Sequence, residues 1–504
     1  MLAPFLEALL AGRPLLIVSN REPWSHSHRA EAESLRIERP ASGLVSALEP
    51  LALAVGGTWI AHGSGDADRL VVDGCDRVAV PPRQPRYRLR RLWLSEAEVE
   101  GYYRQLSNRG LWPLCHQAFV MPVFEPEHWR MYRQVNERFA EAILEEAEGE
   151  DAVVFLQDYH LALVPRLLRL ARPDLTLAQF WHVPWPHPEL LRACPYSAEL
   201  IEGLLGNDLL GFQTVRHCHH FLEAVEQLQQ EGRRQPLPDH HVSRIGSFPI
   251  SIDYDAWSTA AGQPAALRAI GTWQEELAVQ GCPLGIGIDR LDYTKGLPQR
   301  LQAVDHLLEQ QPRWRGQLCF VQLQAPPRDG IDSYRDLRQE LEQLVARING
   351  RWRQGDWQPL QLLQQQRPPH DLVALHRLAD FCVVSSLDDG MNLVAKEFVA
   401  SRCDGDGVLI LSRCTGSAAE LEGALLVNPF SPEELALAMD HALTMEEPLR
   451  RSRMTRMRRR VQEHNVYHWG ATILAEAVQS RTAISPLQQR MAAQPDLSLA
   501  TAQD

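Results

Sequence analysis

The chain has 504 residues, 45% apolar and 23% charged, enough for about two large or three smaller domains with real cores. Its formal net charge of −13 argues against a general nucleic-acid or anionic-membrane binder, so any phosphate must be gripped by local cations. The nine cysteines are scattered with no C-x-x-C pair, which predicts reduced, mostly buried thiols and a cytoplasmic protein.

In chain order, the apolar run Leu2–Leu10 carries Glu7 and lacks a basic flank. It reads as a short amphipathic helix or turn rather than a signal peptide, and no segment is long enough to span a bilayer. Strands are expected at Leu15–Val18, Ala152–Leu156, Ala178–Val183 and Leu209–Phe212 in a first half. A second half offers Leu284–Ile288, Leu318–Leu323, Phe381–Ser386, Val408–Leu411 and Ala424–Val427. Helical patterns such as Trp129–Glu148, Ser333–Ile348 and Pro432–Met445 lie between them. This alternation predicts an α/β protein with parallel, doubly wound sheets and ligands at the carboxyl ends of the strands. The polar stretch Gln229–His241 interrupts the first half and puts a boundary near 245. The domains are therefore expected at 1–245 and 246–465, with a frayed tail from Ser485 (485–504).

Two loops carry most of the chemistry. After Leu284–Ile288 comes Asp289–Gly296, where Arg290 and Lys295 stand five apart. Two cations on one βα loop can neutralise a diphosphate, the arginine as a planar fork and the lysine as a point charge. After Phe381–Ser386 comes Leu387–Glu397, a turn leading into a helix whose free N–H groups can hold an anion. Gly390 admits a ligand close to the main chain. Asp389 can accept from sugar hydroxyls, and Glu397, about two helical turns on, is placed for a ribose diol. Together they suggest a nucleotide sugar.

RLDYTKG at Arg290–Gly296 and DGMNLVAKEFV at Asp389–Val399 resemble the trehalose-6-phosphate synthase family of retaining glycosyltransferases. VSNR at Val18–Arg21, SNRGLWPLCH at Ser107–His116 and QDYHLALVP at Gln157–Pro165 match it too, as do WHVPWPHPE at Trp181–Glu189 and DLLGFQT at Asp208–Thr214. The resemblance runs from about Leu15 to Ala477 with the motifs in the family's order. It implies the GT-B arrangement: two Rossmann-like domains facing across a catalytic cleft, with a final helix (466–484) crossing back to the N-terminal domain. It also implies transfer of glucose from a nucleoside-diphosphate glucose to glucose 6-phosphate, giving trehalose 6-phosphate, without an obligatory cofactor or metal.

For the donor, the resemblance implies contacts from Gly43, Arg290, Lys295, Asp389, Gly390, Met391, Asn392, Leu393, Val394 and Glu397. For the acceptor it implies Arg21, Tyr103, Trp112, Asp158 and Arg328. The catalytic set is Arg290, Lys295, Asp158 and His182. Asp158 follows a strand and could be read as a nucleophile. The family is instead described as front-face transfer, in which the donor phosphate helps to deprotonate the acceptor and the protein positions and stabilises. The chain departs from the pattern at Ser42, where the family has a second glycine before Gly43, and at His62, where it has a tryptophan. His62 keeps a different acceptor open, such as glycerol 3-phosphate, and a binding-only regulator is a more distant alternative. No D-x-D-x-T phosphatase signature is present, so dephosphorylation would need a separate protein, and the chain is compatible with a homo-oligomer. His217, His219 and His220 read as ordinary helix histidines, and the seven arginines of Arg450–Arg460 as a solvated basic face.

Overall fold

The structure is a computed structural model that describes residues 2–29, 32–40, 43–232, 237, 241–277, 281–325 and 332–492. A first sheet has eight strands: β1 Leu15–Arg21, β4 Thr58–His62, β5 Arg77–Val80, β6 Tyr87–Leu92, β7 Val153–Gln157, β8 Thr176–Phe180, β9 Leu209–Phe212 and β10 Arg244–Ser247. Their order is β10-β9-β8-β7-β1-β4-β6-β5, parallel except for β5 against β6. A separate antiparallel pair, β2 Ser25–Arg29 and β3 Ala32–Glu38, follows β1. The second sheet is wholly parallel: β11 Leu284–Arg290, β12 Cys319–Ala325, β13 Leu360–Gln364, β14 Phe381–Val384, β15 Val408–Ser412 and β16 Leu425–Val427. Its order, β13-β12-β11-β14-β15-β16, is that of a dinucleotide-binding fold.

Each order reverses at one place, and a crevice opens there because the crossover helices leave in opposite directions. In the first sheet the reversal lies between β1 and β7, which end at Arg21 and just before Asp158. In the second it lies between β11 and β14, which lead into Arg290–Lys295 and Leu387–Asn392. Both motif-bearing loops of the second half thus leave one crevice.

The central strands are buried on both faces and read as apolar runs, which is why their positions were visible in the sequence. Several outer strands were not anticipated: β5 and β6 carry arginine at Arg77, Arg88, Arg90 and Arg91, and β13 is rich in glutamine. The boundary expected at 245 falls inside β10, whose residues pair with β9, so the first sheet ends at Ser247. The last helix runs Val466–Ala492, past its expected end at 484, and residues 493–504 lie outside the described chain. Val466, Trp469, Ile473 and Leu474 of this helix share one core with Leu15, Phe155 and Phe180 of the first sheet.

The arginines of Glu447–Glu463 are largely committed within the fold. Arg450 pairs with Asp406 at 2.7 Å, Arg453 donates to the Gly423 carbonyl and Arg458 to that of Ala400. No described helix is long and apolar enough to cross a membrane.

Candidate active site

The loops after β11 and β14 are already bonded to each other. Lys295 Nζ lies 2.5 Å from Asp389 Oδ2, and Asn392 Nδ2 donates to the same oxygen at 3.2 Å. Burial works to raise the Asp389 pKa, but Lys295 outweighs it and holds the carboxyl below its ordinary value. Arg290 donates to Asp292 Oδ2 at 2.8 Å and lies 5.6 Å from the ring centre of Trp112, which belongs to the first domain. Its Nε has no hydrogen-bond partner among the described residues. Both cations of the proposed diphosphate clamp therefore rest on carboxylates at the crevice.

Arg300, fully buried, anchors this loop from below. It donates to Asp289 Oδ2 at 2.5 Å, Gln322 Oε1 at 2.8 Å and Ser385 Oγ at 2.9 Å. Ser385 in turn donates to the carbonyls of Lys295 and Gly296 at 3.1 and 3.0 Å. Gly296 has φ +61°, and a side chain there would strike the Ser385 carbonyl, so the turn needs glycine.

Asn392 caps the helix Leu393–Ser401 by accepting from the Ala395 amide at 3.1 Å. Gly43 opens the helix Gly43–Val55 directly against Leu393, so two helix N-termini meet across the domains. A Cβ on Gly390 would collide with the His182 carbonyl, so this glycine lets the domains touch. The Met391 side chain is buried in the first domain's core and its carbonyl accepts from Ser417. Val394 and Glu397 line the cleft. Burial pushes the Glu397 carboxyl up to about 7.

On the facing domain, Asp158 follows β7 with φ +68° and ψ 177°, a region that costs a non-glycine residue about 1–3 kcal/mol and clusters at functional sites. Its Oδ1 accepts from the His182 amide at 3.2 Å. His182 Nε2 lies 2.9 Å from Gln157 Oε1, which can only accept there, so Nε2 carries the proton and Nδ1 is an acceptor. Burial lowers the His182 pKa to about 3, so the ring is neutral and serves as a hydrogen-bonding group. Gln213 Nε2 donates to the His182 carbonyl at 3.1 Å and fixes the loop.

A cleft of about 610 Å³ joins the two sides. Arg21, Tyr103 and His62 line it from the first domain, Arg290, Val394 and Glu397 from the second. Tyr103 lies on a wide-wound π-helical stretch, Val99–Leu111, and stacks on His160 at 5.6 Å. Such stretches are rare and often functional. Trp112, by contrast, is buried at the domain seam, 4.0 Å from the His116 ring, and does not line this cleft. His62 pairs in register with Arg21, and its Nδ1 lies 3.3 Å from the Leu92 carbonyl. Arg328 and Ser42 lie outside the described residues.

A family model described as glycosyltransferase family 20 matches residues 13–479. The chain belongs to that family. The trehalose-6-phosphate synthase of Mycolicibacterium vanbaalenii is 39% identical over 482 residues, covering 93% of this chain and 96% of that protein. A solved UDP-forming α,α-trehalose-phosphate synthase from Burkholderia xenovorans superposes with a TM-score of 0.81 at 31% identity, over 92% and 98% of the two chains. A solved E. coli structure described as trehalose-6-phosphate bound with UDP-2-fluoro glucose gives 0.79 at 31%, over 94% and 99%. The architecture is thus GT-B, with two Rossmann-like domains.

Several residues of this candidate site were not legible in the sequence. Arg300, Ser385 and Asp292 support the clamp loop, and Asn20, Ser64 and Gln366 line the cleft. Asp292 carried a signal, a carboxylate between two cations in RLDYTK. The others come from separate elements and are united only by the fold. The three histidines near 217 share no site: His217 is buried, His219 is exposed and His220 faces the Trp185 carbonyl. Among the described residues no group of three His, Cys, Asp or Glu side chains could hold a metal ion.

Proposed function

We propose that this protein is a retaining glucosyltransferase that moves glucose from a nucleoside-diphosphate glucose to glucose 6-phosphate, forming α,α-trehalose 6-phosphate. The observation that carries the reading is one cleft lined both by Arg290 and Glu397, beside the paired Lys295 and Asp389, and by Arg21 and Tyr103. Solved relatives are named UDP-forming, and another from Burkholderia xenovorans is a complex with glucose 6-phosphate, which puts UDP-glucose first among donors to test.

In this reading the donor's diphosphate takes Lys295 and Arg290 from their carboxylates, and its sugar takes the freed Asp389. Charge building on the leaving diphosphate meets two fixed cations and the helix N-terminus at Leu393. Neutral His182 accepts a sugar hydroxyl at Nδ1. Asp158 positions the acceptor, and Arg21 with Arg328 grips its phosphate. The reading extends to a cytoplasmic enzyme, compatible with a homo-oligomer, whose product passes to a separate phosphatase.

A second acceptor reading has one observation behind it. His62 stands beside Arg21 in the cleft, with burial lowering its pKa, so a neutral imidazole occupies a place where the family pattern has tryptophan. The test is nucleotide release from UDP-, ADP- or GDP-glucose with glucose 6-phosphate or glycerol 3-phosphate. Release of UDP that depends on glucose 6-phosphate, with a non-reducing phosphodisaccharide as product, is expected. Release only with glycerol 3-phosphate would overturn the acceptor, and donor binding with no release for any pair would overturn catalysis of this transfer.

A further inference from the structure

Behind the catalytic loops lies a second cavity between the domains, of about 490 Å³. It does not share a lining residue with the cleft that holds Arg21 and Glu397. Its rim carries two aromatic rings from opposite domains, Phe119 at 90% exposure and Phe430 at 47%, in edge contact with centroids 5.9 Å apart. Large exposed aromatics rimming a concave site mark recognition rather than packing.

The wall is mainly apolar, with Gln117, Arg216, Gln299 and Asp388 among its polar side chains. Asp388 is 7% exposed; its Oδ2 accepts from Gln117 at 3.1 Å, but its Oδ1 has no hydrogen bond among the described residues. Arg216 approaches that oxygen only to 3.6 Å. Gln299 Oε1, in the same wall, likewise has no donor. Buried acceptors without donors are costly and point to a hydroxyl-bearing occupant. Arg216 pairs in charge with the carboxylate form of Asp388, whose pKa burial raises to about 7, and that pairing disfavours an anion.

We propose that this cavity is a second carbohydrate site, taking a neutral sugar of mono- to disaccharide size. Its hydroxyls donate to Asp388 and Gln299, and its apolar face lies on Phe119 and Phe430. The site is attached to the catalytic loops. Thr294 and Leu387 line it, the Leu387 amide donates to the Thr294 carbonyl at 2.7 Å, and the next residues along include Lys295 and Asp389. An occupant therefore bears on the ion pair that the donor must open. The proposal stands apart from the choice of acceptor, since it requires no turnover.

The test is titration of the full-length protein with glucose and with trehalose by calorimetry, in the presence of saturating UDP and glucose 6-phosphate. At least one sugar is expected to bind under those conditions. Ala118→Trp, which fills the cavity, should weaken that binding by about tenfold or more. Phe119→Ala, at a position too exposed to disturb folding, should weaken it in the same direction while leaving the KM values for both substrates unchanged. Loss of sugar binding on adding UDP and glucose 6-phosphate would assign it to the catalytic cleft and overturn the proposal. Binding unaffected by both variants, or no binding of either sugar, would overturn it as well.

Discussion

The two crevices of this molecule are prepared in different ways. In the second domain the working side chains hold one another: Lys295 on Asp389, Arg290 on Asp292, Asn392 on both Asp389 and the helix it caps. In the first domain the groups facing the cleft are spread over separate elements, with Arg21 exposed at the end of β1 and Tyr103 on the π-helical stretch. The side proposed for the donor is thus linked through contacts among its own working groups, whereas on the facing side such contacts join Asp158, His182 and Gln157 and leave Arg21 at a strand end. Carboxylate rests for the cations keep charges partnered in a buried place, at the cost of having to be displaced.

The contrast can be broken most forcefully at Arg300. Arg300→Met removes the strut under the clamp loop and leaves Asp289 buried without its partner, and should destabilise the protein by about 3–5 kcal/mol in urea unfolding. A loss below about 1 kcal/mol would mean that the donor side is not held from beneath. Next in size, Lys295→Ala should lower kcat by about a hundredfold or more. Near-normal turnover would remove Lys295 from the clamp.

The smallest effect sharpens the comparison, because it sets stability against binding within one residue. Burial raises the folded-state pKa of Glu397 from 4.5 to about 7. A raised carboxyl pKa means that the folded state holds the proton more tightly, so stability is fullest below pH 4.5 and falls as pH rises through 7. Glu397→Gln should therefore stabilise the free protein by about 1–2 kcal/mol at pH 8 and leave it unchanged near pH 4. The same variant should weaken donor binding, since the ribose loses its carboxylate acceptor. Equal stability of the two proteins at both pH values would show that Glu397 is solvated in the free enzyme.

The same contrast explains what could be read from the sequence. The donor side lies in two contiguous stretches, each directly after a strand buried on both faces, so strand, loop and chemistry were visible together. Arg290, Lys295, Asp389 and Glu397 all stand at or beside the second crevice. The residues proposed for the acceptor that the structure describes come from β1, the π-helical stretch and the turn after β7, which no local pattern connects. Trp112 shows the limit: its motif was plain, but its burial and its contact with Arg290 of the second domain could not be read from it. Arg-bearing β5 and β6 were missed for the opposite reason. Their polar faces are satisfied by pairs such as Arg91 with Glu22 at 2.8 Å, which leave no apolar alternation to read.

The return of the last helix has a consequence for how the chain assembles. Every buried residue of the second domain's two main cores lies between Ile252 and Val461, one uninterrupted stretch. One core of the first domain instead joins Leu6 and Leu15 to Trp469, Ile473 and Ala477. During synthesis the second domain can therefore close while the chain is still growing, whereas the first must hold an apolar face open until its final segment arrives. The half made first is thus finished last.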